Sequence, residues 1–87
     1  MHKIDVVVKN ETGLHARPAT IFITEASKYK SDITVEKDGK EYSGKSIISI
    51  LSMGAVKGDK LTLSISGEDE KKAATELEGL FIDGLTE

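Results

Sequence analysis

Lys60-Leu61-Thr62-Leu63-Ser64-Ile65-Ser66 is the stretch whose reading decides the fold. Leu61, Leu63 and Ile65 alternate with Thr62, Ser64 and Ser66, and in a strand successive side chains point to opposite faces. One face is therefore apolar and the other wet. That pattern belongs to an antiparallel sheet covered on one side, since strands buried on both faces read as continuous apolar runs. Moving outward, Lys3 to Lys9 repeats the pattern, with Ile4, Val6 and Val8 against Asp5 and Lys9, although Val7 blurs the polar side. Ile33 and Val35 alternate with polar residues up to Lys37. Asp38-Gly39 then supplies a hairpin signal leading to Tyr42.

Between these strands the apolar spacing changes from two to that of a helix. Ala19, Phe22, Ile23 and Ala26 stand at i, i+3, i+4 and i+7, which marks the inner face of a helix from Ala16 to about Ser27, with Arg17, Thr20, Thr24 and Glu25 outside. Ile47 to Gly54 is too apolar for a loop and too short for a long helix, so about two helical turns capped by Ser46 are expected. Glu68-Asp69-Glu70 precedes Lys71-Lys72, the order that a helix dipole favours, and reads as the solvated first turn of a last helix. Ala73, Ala74, Leu77, Leu80 and Phe81 form its expected buried stripe, with Gly84 near its end. The order is strand, helix, strand, strand, helix, strand, helix. Helices must cover the apolar face of the sheet, so a two-layer α+β domain follows.

The 87 residues suit a single domain over 1–87, with one core and no room for a deep internal active site. Function is expected at the surface. With no cysteine, disulfides and thiolate metal sites are excluded, and a cytoplasmic location is expected. No apolar run reaches the length of a membrane span, and Met1 to Lys9 alternates where a secretion signal would be continuously apolar. Neither membrane insertion nor export is expected. A net charge of −3 without a basic cluster argues against direct nucleic-acid binding.

The chemistry concentrates in Gly13-Leu14-His15-Ala16-Arg17-Pro18-Ala19. His15 stands at or near the N-cap of the first helix, where backbone donors lack partners and the helix dipole favours an anion. Phosphate is the expected guest. Pro18 has no N–H and belongs in the first turn, which leaves Ala16 and Arg17 as the amide donors. The Arg17 guanidinium can grip phosphate oxygens in pairs, Thr12 can add a hydroxyl, and Gly13 lets the approach loop bend. The same dipole disfavours an imidazolium, so His15 keeps a ring nitrogen free as a nucleophile. An isolated histidine is usually only a surface residue, and His2 is read that way; around His15 several features converge. No paired carboxylates, metal cluster or nucleophile–base pair stands elsewhere, which weighs against a free-standing enzyme.

His15-Ala16-Arg17-Pro18-Ala19 together with Lys45-Ser46-Ile47 resembles the HPr family, the histidine-containing phosphocarriers of the bacterial phosphoenolpyruvate-dependent sugar phosphotransferase system. Lys28-Tyr29 and Leu51-Ser52-Met53-Gly54 also fall where that family has them, and the resemblance runs essentially end to end. It implies an open-faced β-sandwich, a four-stranded antiparallel sheet with three helices on one side. Enzyme I would pass a phosphoryl group to Nδ1 of His15, and His15 would pass it to a histidine on sugar-specific IIA domains, with no cofactor and no metal. Ser46 matches the serine phosphorylated in Gram-positive members by HPr kinase/phosphorylase, after which a catabolite-control transcription factor is bound. Ile47, Ile48 and Leu51 match the family's exposed docking patch, which Thr20 is expected to join. A monomer is expected. Ser49 stands where many relatives have glycine, Thr12 where serine is frequent, and Ile48 and Leu51 where methionine is common; these changes bear on partner affinity and not on phosphoryl chemistry. A purely regulatory module signalling through phosphoserine 46 is the second reading. A nitrogen-related paralogue is the third, and the Ser46 motif weighs against it.

Overall fold

The computed structural model describes residues 1–85. Its elements are β1 (His2–Val7), α1 (Ala16–Ala26), β2 (Asp32–Lys37), β3 (Lys40–Ser43), α2 (Ile47–Ser52), β4 (Lys60–Ser66) and α3 (Glu70–Gly79), which runs on into a π-helical turn at Leu80–Gly84. The strands form one antiparallel sheet in the order β1-β4-β2-β3. Three helices lie over one face, as the alternation requires.

The clearest alternating strand is an inner one. Leu63 of β4 stands opposite Ile4 of β1 on one side and Val35 of β2 on the other. Leu61, Leu63 and Ile65 are completely buried, whereas Thr62 and Ser64 on the opposite face are half-exposed. The β2–β3 connection is the two-residue turn that Asp38-Gly39 announces. Both residues have positive φ, 52° and 81°, as a hairpin of this twist demands.

Phe22 of α1 meets Phe81 edge-to-face, with centroids 5.8 Å apart, so the first helix is seated against the end of the last one. Two expected core residues, Ile23 and Leu80, are only half-buried. For Leu80 the reason is the wider winding after α3. Leu85 N–H donates to the Leu80 carbonyl five residues back at 3.0 Å, and this winding keeps Leu77, Phe81 and Leu85 in line on the buried side while Leu80 falls beside it.

Two further expectations are corrected. β1 ends at Val7, yet Val8 remains buried because its N–H and carbonyl bond to the Asp59 carbonyl and the Gly58 N–H at 2.9 and 2.8 Å. The acidic run before α3 is not merely a solvated helix turn. α3 starts at Glu70, and the Asp69 side chain turns away from its own helix toward the backbone amides of Lys30 and Ser31, at 2.9 and 3.0 Å. The loop after α1 leaves those amides without a ladder partner, and a carboxylate satisfies them. Glu70 accepts the Gly67 N–H at 3.1 Å, which holds its carboxyl below its ordinary pKa. Among the described residues no helix is long and apolar enough to cross a membrane.

Candidate functional site

His15 is the N-cap residue of α1, with extended backbone at φ −74° and ψ −173°. Its carbonyl accepts the first intrahelical bond, from Ala19 N–H at 2.9 Å, while its exposed imidazole makes no capping bond. The Ala16 and Arg17 amides precede that first bond and so have no partner within the helix. Pro18 follows them, buried, in a position where its missing N–H leaves nothing unsatisfied. Thr12 and Arg17, which flank His15 in the sequence, are exposed, and Thr20 is exposed one turn on, its hydroxyl donating to the Ala16 carbonyl at 2.7 Å.

The approach loop is fixed from inside and from behind. Asn10 binds Gly13 twice, through its side-chain amide to the Gly13 carbonyl and through its own carbonyl to the Gly13 N–H. Gly13 has φ +68°, and a Cβ on it would lie 2.4 Å from the Ala55 carbonyl oxygen and 2.8 Å from Val56 Cα. Conformation and contact therefore both require glycine, beyond the bending freedom inferred from sequence. Buried Leu14 donates its N–H to that same Ala55 carbonyl at 3.0 Å. The residue before the histidine is thus anchored to a loop some forty positions away in the chain.

A cleft results, lined by Leu14, His15, Ala16, Leu51, Gly54, Ala55 and Val56. Val56 is 54% exposed at its edge and was not singled out by sequence; nothing in its local pattern marks it, because its neighbourhood arises only when the loop folds back on Gly13.

α2 buries only Ile50 and turns Ile47, Ile48 and Leu51 to solvent, at 37%, 77% and 41% exposure. Of these three only Leu51 borders the histidine cleft, while Ile47 and Ile48 extend the apolar surface away from it. Ser46 caps the helix, its hydroxyl oxygen accepting Ser49 N–H at 3.2 Å. Ser49 returns a second tie, since its own hydroxyl oxygen accepts Ser43 N–H at 2.9 Å and so pins α2 to the end of β3. A glycine there could not make that bond.

The Lys28-Tyr29 and Lys45 segments meet. Lys45 Nζ donates to the Tyr29 carbonyl at 2.5 Å, and the Tyr29 hydroxyl donates to Glu25 at 2.7 Å. Burial, with the Glu25 bond second, pushes the phenol up to about 12. The same bond, followed by that of Lys28, holds Glu25 below its ordinary value. These residues join the end of α1 to the chain entering α2.

A family model for the PTS HPr component phosphorylation site matches residues 2–83. The phosphocarrier protein HPr of Borreliella burgdorferi is 44% identical over 81 residues, covering 93% of this chain and 94% of the relative. The HPr-like protein Crh of Bacillus subtilis is 44% identical over 72 residues, covering 83% and 85%. The crystal structure of HPr-C-His from Thermoanaerobacter tengcongensis superposes with a TM-score of 0.94 at 44% identity, over 98% of this chain and 96% of the other. With that match spanning the sheet, the helices and the histidine cleft alike, the chain belongs to the HPr family of phosphocarrier proteins.

Proposed function

We propose that this chain carries a phosphoryl group on His15 from phosphorylated enzyme I to sugar-specific IIA domains during carbohydrate uptake. The observation that carries the reading is the exposed imidazole of His15, uncommitted to helix capping and set before the Ala16 and Arg17 amides. A ring nitrogen attacks the phosphorus held by the donor histidine, so that one N–P bond forms as the other breaks. The two amides and the Arg17 guanidinium receive the charge on the phosphoryl oxygens, with the Thr12 hydroxyl beside them. The reverse sequence delivers the group to the IIA histidine. Thr20, Ile47, Ile48 and Leu51 form the docking surface, and the large exposed apolar area of α2 is what supports this. The chain is a carrier without turnover of its own, needs no cofactor, and works in the cytoplasm.

Ser46 is proposed as the target of HPr kinase/phosphorylase, its modified form binding a catabolite-control transcription factor. The similarity to Crh supports this regulatory layer, while His15 favours transfer as the primary role. A monomer is proposed because His15, its amides and the cleft all lie within one chain, although the HPr of T. tengcongensis and Crh have also been solved as dimers.

The test is incubation with phosphoenolpyruvate and enzyme I. Wild type should gain one phosphoryl group, lost in acid and stable in base, as expected of a phosphoramidate whose leaving imidazole is protonated. His15→Ala should gain none while keeping its stability within about 0.5 kcal/mol, as for most exposed sites. Acceptance by that variant would overturn the assignment.

A further inference from the structure

The turn behind His15 is bracketed by the Asp59 side chain, and Lys57 Nζ within it also reaches Glu11 of the approach loop at 2.6 Å. Asp59 brackets the turn at 56–59 from both ends, its carboxylate accepting Val56 N–H at 2.9 Å and its own N–H donating to the Val56 carbonyl at 3.0 Å. Its carbonyl accepts Val8 N–H at 2.9 Å, which clamps the turn to the end of β1. One residue before the bracket, Ala55 accepts the Leu14 amide, and Ala55 and Val56 fill the space that a side chain on Gly13 would need. Asp59, Val56, Ala55 and Leu14 thus form a continuous hydrogen-bonded and covalent path to His15. Lys37 Nζ lies 3.8 Å from the Asp59 carboxylate and 3.1 Å from Asp38, so its charge is shared and its bond to Asp59 is the weaker of the two.

We infer that Asp59 is a positioning residue for phosphoryl transfer, holding the 55–58 loop that sets the height and direction of His15 at the cleft. Asp59 is not among the residues that line the histidine cleft. Removing it should therefore lower the maximal rate of transfer and leave the half-saturating concentration for enzyme I nearly unchanged. Small misplacements of a reacting group lower rates steeply, so a loss of about tenfold is expected. The inference rests on the phosphocarrier reading.

The experiment compares Asp59→Ala, Asp59→Asn, Asp59→Glu and the control Asp69→Ala. Asp69 lies beyond the opposite end of β4, so its loss weakens the fold without reaching His15. Phosphoryl acceptance from enzyme I is measured against carrier concentration, and Leu14 amide hydrogen exchange is measured in parallel. Asp59→Ala should lose about tenfold in maximal rate with accelerated Leu14 exchange, Asp59→Asn should stay within about twofold because its amide oxygen can still accept Val56 N–H, and Asp59→Glu should resemble alanine. Asp69→Ala should transfer at the wild-type maximal rate. Wild-type transfer by Asp59→Ala would overturn the proposal. So would an Asn variant as slow as alanine, since the charge facing Lys37 and not the turn would then matter. If Asp59→Ala did not fold, the Glu and Asn variants would decide by the same two readouts. A wild-type protein that accepted no phosphoryl group would overturn the carrier reading itself, and Leu14 exchange would then decide alone whether Asp59 holds the histidine loop.

Discussion

The Asp69 carboxylate accepts two hydrogen bonds from Ser31, from its N–H at 3.0 Å and its hydroxyl at 2.5 Å, across 38 residues of sequence. Together with the Lys30 amide, the Ser31 bonds hold the Asp69 carboxyl down to about 2 from its ordinary 3.8. Since the folded value lies below the ordinary one, the stabilisation is complete above 3.8 and disappears as the pH falls toward 2. Wild type should lose stability across that window in acid unfolding experiments. Asp69→Ala should be less stable at neutral pH and should show a shallower loss there. An unchanged acid slope would mean that Asp69 keeps its ordinary titration.

Gly13→Ala tests the back wall of the site. The left-handed backbone alone should lower stability by about 1–2 kcal/mol, and the new methyl must displace Ala55 or the histidine loop. Denaturant unfolding should record a loss of about 2 kcal/mol or more, with slower phosphoryl acceptance even under conditions where the variant is fully folded. Native stability and native rate together would show that the two loops are independent.

Arg17→Lys keeps a positive charge and loses the planar pair of donors. Arg17 is exposed, so its replacement should leave thermal stability nearly unchanged while slowing transfer both from enzyme I and to a IIA domain. Wild-type rates in both directions would make the arginine a bystander.

At Ser46 a structural and a regulatory role can be separated. Ser46→Ala removes the acceptor for Ser49 N–H and should lower stability by about 1 kcal/mol, less if the Ser49–Ser43 bond holds α2 in place. Ser46→Asp keeps a capping oxygen but sets a charge beside Ile47 and Ile48, which stand 37% and 77% exposed. It should remain folded and dock less well with enzyme I, and added salt should relieve part of the defect if repulsion of an acidic partner surface is the cause. Equal transfer by wild type, Ala and Asp forms at low and moderate ionic strength would leave Ser46 as a helix cap for this route.

Local pattern determined much of this protein. The alternation in Lys60–Ser66, the Asp38-Gly39 turn and the Ser46 cap each depend on residues close in sequence, so their geometry could be read without the fold. The same holds for the position of His15 at the start of α1, because Pro18 and the spacing of Ala19, Phe22 and Ala26 locate that start. Only the tertiary structure decided what lies behind the histidine. Ala55 and Val56 carry no local signal, and their contact with Gly13 and Leu14 exists because β1 and β4 pair side by side and bring the loops at their ends together. Asp69 follows the same rule: next to its own helix it looks like an ordinary first-turn acid, whereas its partners, Lys30 and Ser31, come within reach only after the sheet has formed. Periodicity reports which face of an element is buried, but a long-range hydrogen bond depends on where two distant loops meet, and that is set by strand order and packing.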